Sequence, residues 1–380
     1  MKWMIEINNL DPQQSRILED VTTNDEKTHW IAGYAGTGKT IVITHAIERI
    51  IARSRSASIC FLTYTHALKD LVHSGLSEVA RSRVVVETID TFGSNNERYD
   101  YVLVDEIQDI KEDNIENIFD RADHVIAAGD PDQSIYLGRV QPSELKKLLG
   151  NAKKHTLKNI HRLSLKTFQL AATVLPDAQI VAGANVKDEG NEGKLIRADT
   201  LENEYARVYA EATRVAAIEQ PCCILFPTHD QIYSFAEIIA SSKRWGKPPA
   251  REKKGRIVSY ENFNNFFLAK QSPLRFLGSA NGSLPESDEK KIIYLMTYHS
   301  AKGLDFNNVF LPDLSADVKL DAKWKQMSKP ENERRHFFVA ITRCKENVYF
   351  SYHGEPHSLL AELMEHGLEE FTPPRSVFSR

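Results

Sequence analysis

Short apolar runs alternate along this chain with stretches whose apolar residues recur every three or four positions. Thr28 to Ala32, Ser58 to Tyr64, Arg83 to Thr88, Tyr101 to Val104 and Val125 to Ala128 have strand length and are mostly apolar or β-branched. Helical spacing separates them at Ile41 to Ile51, from Thr65 to Val72 and at Asn114 to Phe119. A short helix over 11–20 opens with Asp11 as cap and Pro12 in its first turn. This alternation predicts a parallel sheet covered on both faces, with ligands at the carboxyl ends of its strands. A second such run begins near Lys158. Its helices are expected at Leu163 to Val174, Leu201 to Ile218, Gln231 to Ala240, Arg334 to Ile341 and Ser358 to His366, the last capped by Gly367. Its strands are expected at Cys222 to Phe226, Lys291 to Thr297, Asn308 to Leu311 and Asn347 to Tyr352. Residues 243–290, rich in Gly, Pro, Ser and Lys, break the pattern and read as an insertion or flexible subdomain. The pattern therefore predicts two α/β domains, 1–157 and 158–380.

Composition narrows the setting. The 380 residues are 42% hydrophobic and 26% charged, ordinary values for a globular protein. No apolar run is long enough to span a bilayer, and the first residues lack the pattern of a signal peptide. Cys60, Cys222, Cys223 and Cys344 form no CxxC pair and no disulfide ladder, which fits a reducing cytoplasm and no membrane. A net charge of −4 argues against a polybasic binder but leaves room for a local basic groove. The densest basic stretch, Lys243 to Arg256, reads as a solvated loop.

The chemistry is concentrated in two places. Gly33-Tyr34-Ala35-Gly36-Thr37-Gly38-Lys39-Thr40 fits G-x-x-x-x-G-K-[ST] between a strand and a helix. Gly33, Gly36 and Gly38 let the backbone N–H groups, with that of Thr37, curl around a polyphosphate. The helix N-terminus adds partial positive charge, Lys39 adds a full one, and Thr40 offers a hydroxyl to Mg²⁺. Tyr101 to Val104 then delivers Asp105 and Glu106 to the same sheet edge. Asp105 can hold Mg²⁺ through water, and Glu106 can act as the base that activates an attacking water. Phosphate loop and paired carboxylates together point to a nucleoside triphosphatase.

Beyond these, a series of motifs resembles superfamily 1 helicases of the UvrD/Rep type. Asp105-Glu106-Ile107-Gln108-Asp109 is similar to their D-E-x-Q-D motif, and Gly129 to Tyr136 to their third motif. Leu10 to Gln14 resembles the adenine-reading Q motif, with Gln14 in the glutamine position. Phe61 to Thr65, Thr88 to Phe92 and Asn159 to Arg162 resemble motifs Ia, Ic and IV. Thr297 to Phe306 resembles motif V, and Val339 to Arg343 motif VI. The motifs run in family order from residue 10 to residue 343.

The resemblance implies two RecA-like parallel-sheet domains in tandem with ATP between them, and an ATP- and Mg²⁺-dependent motor. It implies that Gln133 senses the γ-phosphate from the first domain, that Arg162 and Arg343 reach it from the second, and that Asp305 contacts the ribose or a nearby loop. Thr63, Tyr64, Thr91, Tyr136, Arg139 and His299 become candidate contacts to single-stranded nucleic acid, through stacking and phosphate binding. DNA and 3′→5′ movement follow from the family branch, with RNA left open. Three departures stand out. Gly138 occupies the position of a base-stacking Trp, and Asp90 that of a His. The span from Phe92 to Tyr101 is too short for the accessory domain these helicases insert there. The alternative reading is therefore an ATP-gated nucleic-acid sensor, or a regulatory subunit of a partner nuclease or other defence or repair effector, without autonomous unwinding.

Overall fold

The computed structural model describes residues 3–94, 96–129, 140, 142–176, 185–186, 189–254, 257–278, 281–282, 284–320 and 330–373. The chain forms two compact units. One is built on Lys2–Arg162, the other on Leu163–Asp177 and Val186–Arg380.

In the first unit the order is α1 (Pro12–Thr23), β1 (Thr28–Gly33), α2 (Lys39–Arg53), β2 (Ile59–Thr63), α3 (His66–Gly75), α4 (Glu78–Arg81), β3 (Val84–Thr88), α5 (Ile89–Phe92), β4 (Tyr99–Val104), α6 (Glu112–Asp120), β5 (Ala122–Ala128), α7 (Pro142–Leu148) and β6 (Lys153–Leu157). Its six strands pair in the order β3-β2-β4-β5-β1-β6, every pair parallel. The apolar runs explain this arrangement. Cys60, Leu62, Val102, Val104, Val125 and Ala127 all lie in one core beneath Ile115 and Ile118 of α6, so the sheet is buried where its strands are apolar. Because β4, β5 and β1 are neighbours and parallel, their carboxyl ends present Asp105, Gly129 and Gly33 along one edge.

The two-residue strands β7 (Asn159–Ile160) and β8 (Asn185–Val186) precede the second sheet. That unit contains α8 (Leu165–Val174), β9 (Lys194–Ala198), α9 (Leu201–Val215), β10 (Cys222–Phe226), α10 (His229–Ser242), a hairpin of β11 (Glu252–Lys254) and β12 (Ile257–Ser259), α11 (Glu261–Ala269), β13 (Leu274–Phe276), β14 (Ile293–Thr297), β15 (Phe306–Leu311), α12 (Pro330–Ile341), β16 (Cys344–His353), α13 (Ser358–Glu365) and β17 (Glu369–Glu370). Seven parallel strands pair in the order β13-β14-β10-β15-β16-β9-β17. The expected tandem of two parallel-sheet domains is therefore observed.

Residues 243–290 differ from the expected irregular insertion. Phe263 and Phe267 of α11 and Phe276 of β13 are buried in the main core, and β13 is the edge strand of the main sheet. Among the described strands of this stretch, only those of the hairpin stand apart from that sheet. Among the described strands longer than three residues, two, β6 and β9, went unpredicted. In β6, Lys-Lys-His-Thr-Leu alternates half-buried and exposed positions, as an edge strand does, and lacks the apolar run of a central strand. All four cysteines are free and buried. Among the described residues no helix is long and apolar enough to cross a membrane.

Burial leaves a pH signature. It pushes the pKa of His29 down to about 4, with the adjacent His155 contributing next. In the unfolded chain an imidazole ionises near 6.5, so between these values the unfolded state binds more protons than the folded one. The His29 contribution to stability is thus present at neutral pH and is lost as pH falls from about 6.5 towards 4. Asp105, Glu204 and Asp313 are raised by burial and act in the opposite sense. The His29 share is therefore read as a difference: urea midpoints of wild type should fall relative to those of His29→Asn across this window.

Candidate nucleotide site

β1 ends at Gly33 and α2 begins at Lys39, so the phosphate loop joins a central strand directly to a helix N-terminus. Gly36 and Gly38 have φ of +81° and +84°, the left-handed region that costs a side chain dearly. Space is equally restrictive. A Cβ on Gly36 would lie 2.7 Å from Arg162 Cβ, and one on Gly38 2.4 Å from Gln14 Nε2. The loop closes on itself through Thr37, whose Oγ1 and N–H both donate to the Tyr34 carbonyl at 2.9 and 3.3 Å. Lys39 is buried, and its ammonium donates to the carbonyls of Gly33 at 2.6 Å and Tyr34 at 3.1 Å.

The start of the chain braces this loop. Asp11 caps α1 by accepting from the N–H groups of Gln13 and Gln14, while Gln14 Oε1 accepts from the Asp11 N–H. That box aims the Gln14 amide at the loop, where Nε2 donates to the Thr37 carbonyl at 3.0 Å. His161 Nε2 lies 2.6 Å from Asp11 Oδ2, and the His161 N–H donates to the Gly36 carbonyl at 2.9 Å. Arg162 was expected from the second domain. It groups instead with the first unit, packed on Gly36 with its Nε buried and without a hydrogen-bond partner.

The carboxylates arrive from β4. Thr40 Oγ1 donates to Asp105 Oδ2 at 2.6 Å, and the Glu106 N–H donates to Asp105 Oδ1 at 3.0 Å. Burial, followed by the neighbouring Glu106 charge, pushes the Asp105 pKa up, while the Thr40 hydroxyl and Lys39 oppose the rise. A half-buried hydroxyl and a buried carboxylate in contact are hard oxygen donors of the kind Mg²⁺ selects. Glu106 sits at φ 55°, ψ 46°, a left-handed conformation that costs a non-glycine residue about 1–2 kcal/mol. Gln108 is buried and its Nε2 donates to Glu106 Oε2, fixing the carboxylate. Gly129, at the end of β5, makes room for this bond, since a Cβ there would lie 2.2 Å from Gln108 Oε1. Sequence reading quoted Gln108 within D-E-I-Q-D but assigned it no role; its position two residues after Glu106, in a turn, was the available signal.

In the second unit Arg343 is buried at 2% exposure. Its guanidinium donates to the carbonyls of Val339 at 3.0 Å and Leu304 at 3.3 Å and to Thr342 Oγ1 at 3.0 Å, tying the end of α12 to the loop before β15. Asp305 is ion-paired with Lys345 at 3.0 Å. His299 Nε2 lies 3.0 Å from His336 Nε2. Of the candidate nucleic-acid contacts, Thr91 is exposed on α5 and Tyr64 is half-buried. Thr63 is fully buried at the end of β2 and offers no side-chain surface to a strand. Gln133, Tyr136, Gly138 and Arg139 lie outside the described residues.

Two families match separate parts of the chain. Residues 9–192 match a family described as AAA domain, and residues 259–355 match the UvrD-like helicase C-terminal domain. The ATP-dependent DNA helicase Rep of Buchnera aphidicola is 35% identical over 63 residues, 17% of this chain and 10% of that protein. The ATP-dependent DNA helicase PcrA of Staphylococcus epidermidis is 32% identical over 113 residues, 26% of this chain and 16% of that protein. The aligned stretches thus span only a small part of these relatives. Among solved structures, the arterivirus nonstructural protein 10 (helicase) in complex with DNA resembles this chain with a TM-score of 0.44 at 14% identity, covering 92% of this chain and 65% of that one.

Proposed function

We propose that the chain is an ATP-driven motor of the superfamily 1 UvrD/Rep/PcrA type acting on single-stranded DNA, a reading supported by its two parallel-sheet units and by the matches to an AAA domain and to the UvrD-like helicase C-terminal domain. One observation carries the proposal: the Thr40 hydroxyl donates to the Asp105 carboxylate at 2.6 Å, joining phosphate loop and carboxylate pair into one site with Glu106 beside it. Bound ATP with Mg²⁺ supplies the scissile phosphoanhydride and the charge neutralisation that phosphoryl transfer requires. Thr40 and Asp105 would hold the metal. The N–H groups around Gly36 and Gly38, with Lys39, would bind and orient the phosphates. Glu106, steadied by Gln108, would accept the proton of the attacking water at its carboxylate. Gln133, Arg162 and Arg343 would add fixed polarity and positive charge to the transition state. The absence of a membrane-length helix among the described residues and the four free thiols suit a cytoplasmic setting.

The test is ATP turnover by the full chain with no nucleic acid, single-stranded DNA, duplex DNA and RNA. Single-stranded DNA should stimulate turnover most; equal rates with and without it would sink the motor reading. Arg343→Ala should lower turnover by on the order of 10³-fold while changing the affinity for a fluorescent nucleotide analogue far less. Normal hydrolysis by that variant would remove Arg343 from the site. The variant should also melt earlier, since the carbonyls of Leu304 and Val339 lose a buried charged donor.

A second reading, an ATP-gated nucleic-acid-binding subunit of a nuclease or other effector, is favoured by one feature. Residues 93–98 alone connect α5 to β4, leaving no room for an inserted domain there. Duplex unwinding by the isolated chain would count against it. A stable complex with such an effector, unaffected by Glu106→Gln, would favour it.

A further inference from the structure

Three ligand-type atoms converge at the end of β1 remote from the phosphate loop. His29 is the second residue of β1, and His155 lies on the neighbouring edge strand β6, on the same face of the sheet by the register that pairs His29 with Lys153 and Ile31 with His155. Asp20 reaches them from the last turn of α1. His29 Nδ1 and His155 Nε2 are 3.1 Å apart, His155 Nε2 and Asp20 Oδ2 are 3.6 Å apart, and all three atoms lie within 4.8 Å of one another. The two imidazole rings are nearly parallel, at 26° with centroids 5.3 Å apart.

Hydrogen bonding alone serves this cluster poorly. His29 Nδ1 and His155 Nε2 face each other at 3.1 Å, a separation that holds one shared proton. If His29 Nδ1 carries it, the His155 lone pair faces the Asp20 carboxylate. If His155 Nε2 carries it, His29 must hold its own proton on Nε2, which is buried without a partner. A cation relieves the first of these conflicts by taking the lone pairs of His29 Nδ1, His155 Nε2 and Asp20 together, and the His29 proton then sits on Nε2, as it does in the second tautomer. Tetrahedral ligation with metal–nitrogen bonds of about 2.0–2.1 Å sets neighbouring donor atoms about 3.3 Å apart, and the observed 3.1 and 3.6 Å bracket that value. Two imidazoles and one carboxylate favour zinc-class ions over Mg²⁺ or Ca²⁺, which prefer all-oxygen ligands. Lys153 competes for Asp20, bonding Oδ1 at 2.9 Å and lying 2.8 Å from Oδ2, but its side chain is 37% exposed and free to swing into solvent. The other mixed cluster, Glu204, Asp313 and His353, lacks this conflict, because the Glu204 oxygens already accept from Ser351, the Asp313 N–H and His353.

We propose that Asp20, His29 and His155 form a binding site for a divalent transition-metal ion of the zinc class. The ion would staple α1 to β1 and β6. The far end of α1 carries Asp11 and Gln14 beneath the phosphate loop, and the chain leaving β6 carries His161 and Arg162 onto the same loop. The site thus clamps, from behind, the three segments that shape the nucleotide site.

The full chain, stripped with chelator, is titrated with Co²⁺ as a visible probe. A single ion per chain with the intense bands of tetrahedral cobalt, displaced by Zn²⁺, is expected. His155→Gln and Asp20→Asn should each weaken Co²⁺ binding by about tenfold or more, while Lys153→Ala should tighten it. In chelator, His155→Gln should melt close to wild type, and it should lose the Zn²⁺-dependent rise in melting temperature that wild type shows. Absence of tetrahedral bands in wild type, or equal Co²⁺ affinity in wild type and His155→Gln, would overturn the proposal.

Discussion

Lys39→Ala lowers ATP turnover by roughly 10³-fold or more and leaves the melting temperature close to wild type. The two halves of this expectation have separate causes. Lys39 Nζ is the only full positive charge that the loop itself carries, so its loss removes charge stabilisation from every phosphate the loop holds. Its structural bonds, by contrast, are dispensable. The Tyr34 carbonyl keeps both donors from Thr37, and the loop still closes through Thr37 and the Gln14 amide. Removing a buried ammonium also relieves its desolvation, which offsets the lost bond to Gly33. The measurement pairs steady-state turnover with thermal melting. A variant that still hydrolyses at near wild-type rate would show that the loop does not hold the transferred phosphates.

How far the fold was legible depended on what each segment buries. β1, β2, β4, β5 and β10 each contain a run of consecutive apolar residues, and the buried parts of these strands follow from those runs. β6 and β9 carry lysines at their starts and sit near or at sheet edges, so their patterns are weak. Residues 261–276 were lost for another reason: Phe263, Phe267 and Phe276 have helix and strand patterning, but the surrounding Gly, Pro and Lys dominate composition over that window. The site divides similarly. Local motifs brought Lys39, Thr40, Asp105 and Glu106 into view because strand, loop and helix position them through adjacent backbone. Contacts made across the fold were beyond reach. No spacing rule shows that Arg162 packs on Gly36, that Gln14 bonds the Thr37 carbonyl or that Asp20, His29 and His155 meet, because each depends on how distant segments register in space.

The geometry around Glu106 separates binding from chemistry. Glu106→Gln should retain ATP binding, lower turnover by on the order of 10²–10⁴-fold and leave stability unchanged. Gln has nearly the shape of Glu, and its amide oxygen can still accept from Gln108 Nε2, so the buried contact and the left-handed backbone both persist. What disappears is the basic oxygen that accepts a proton. Asp105 and Thr40 remain in contact, so the groups that would hold metal and phosphates are undisturbed. Gln108→Ala makes the complementary case: it keeps the base but frees its orientation, and beside Gly129 it opens a gap where the amide was packed. Its turnover should fall less than that of Glu106→Gln, while its pH profile keeps the limb that Glu106→Gln loses. If Glu106→Gln turned over at wild-type rate, another group would have to be the base. If it failed to bind nucleotide, Glu106 would belong to the binding machinery, and the division of labour between Asp105 and Glu106 would be wrong.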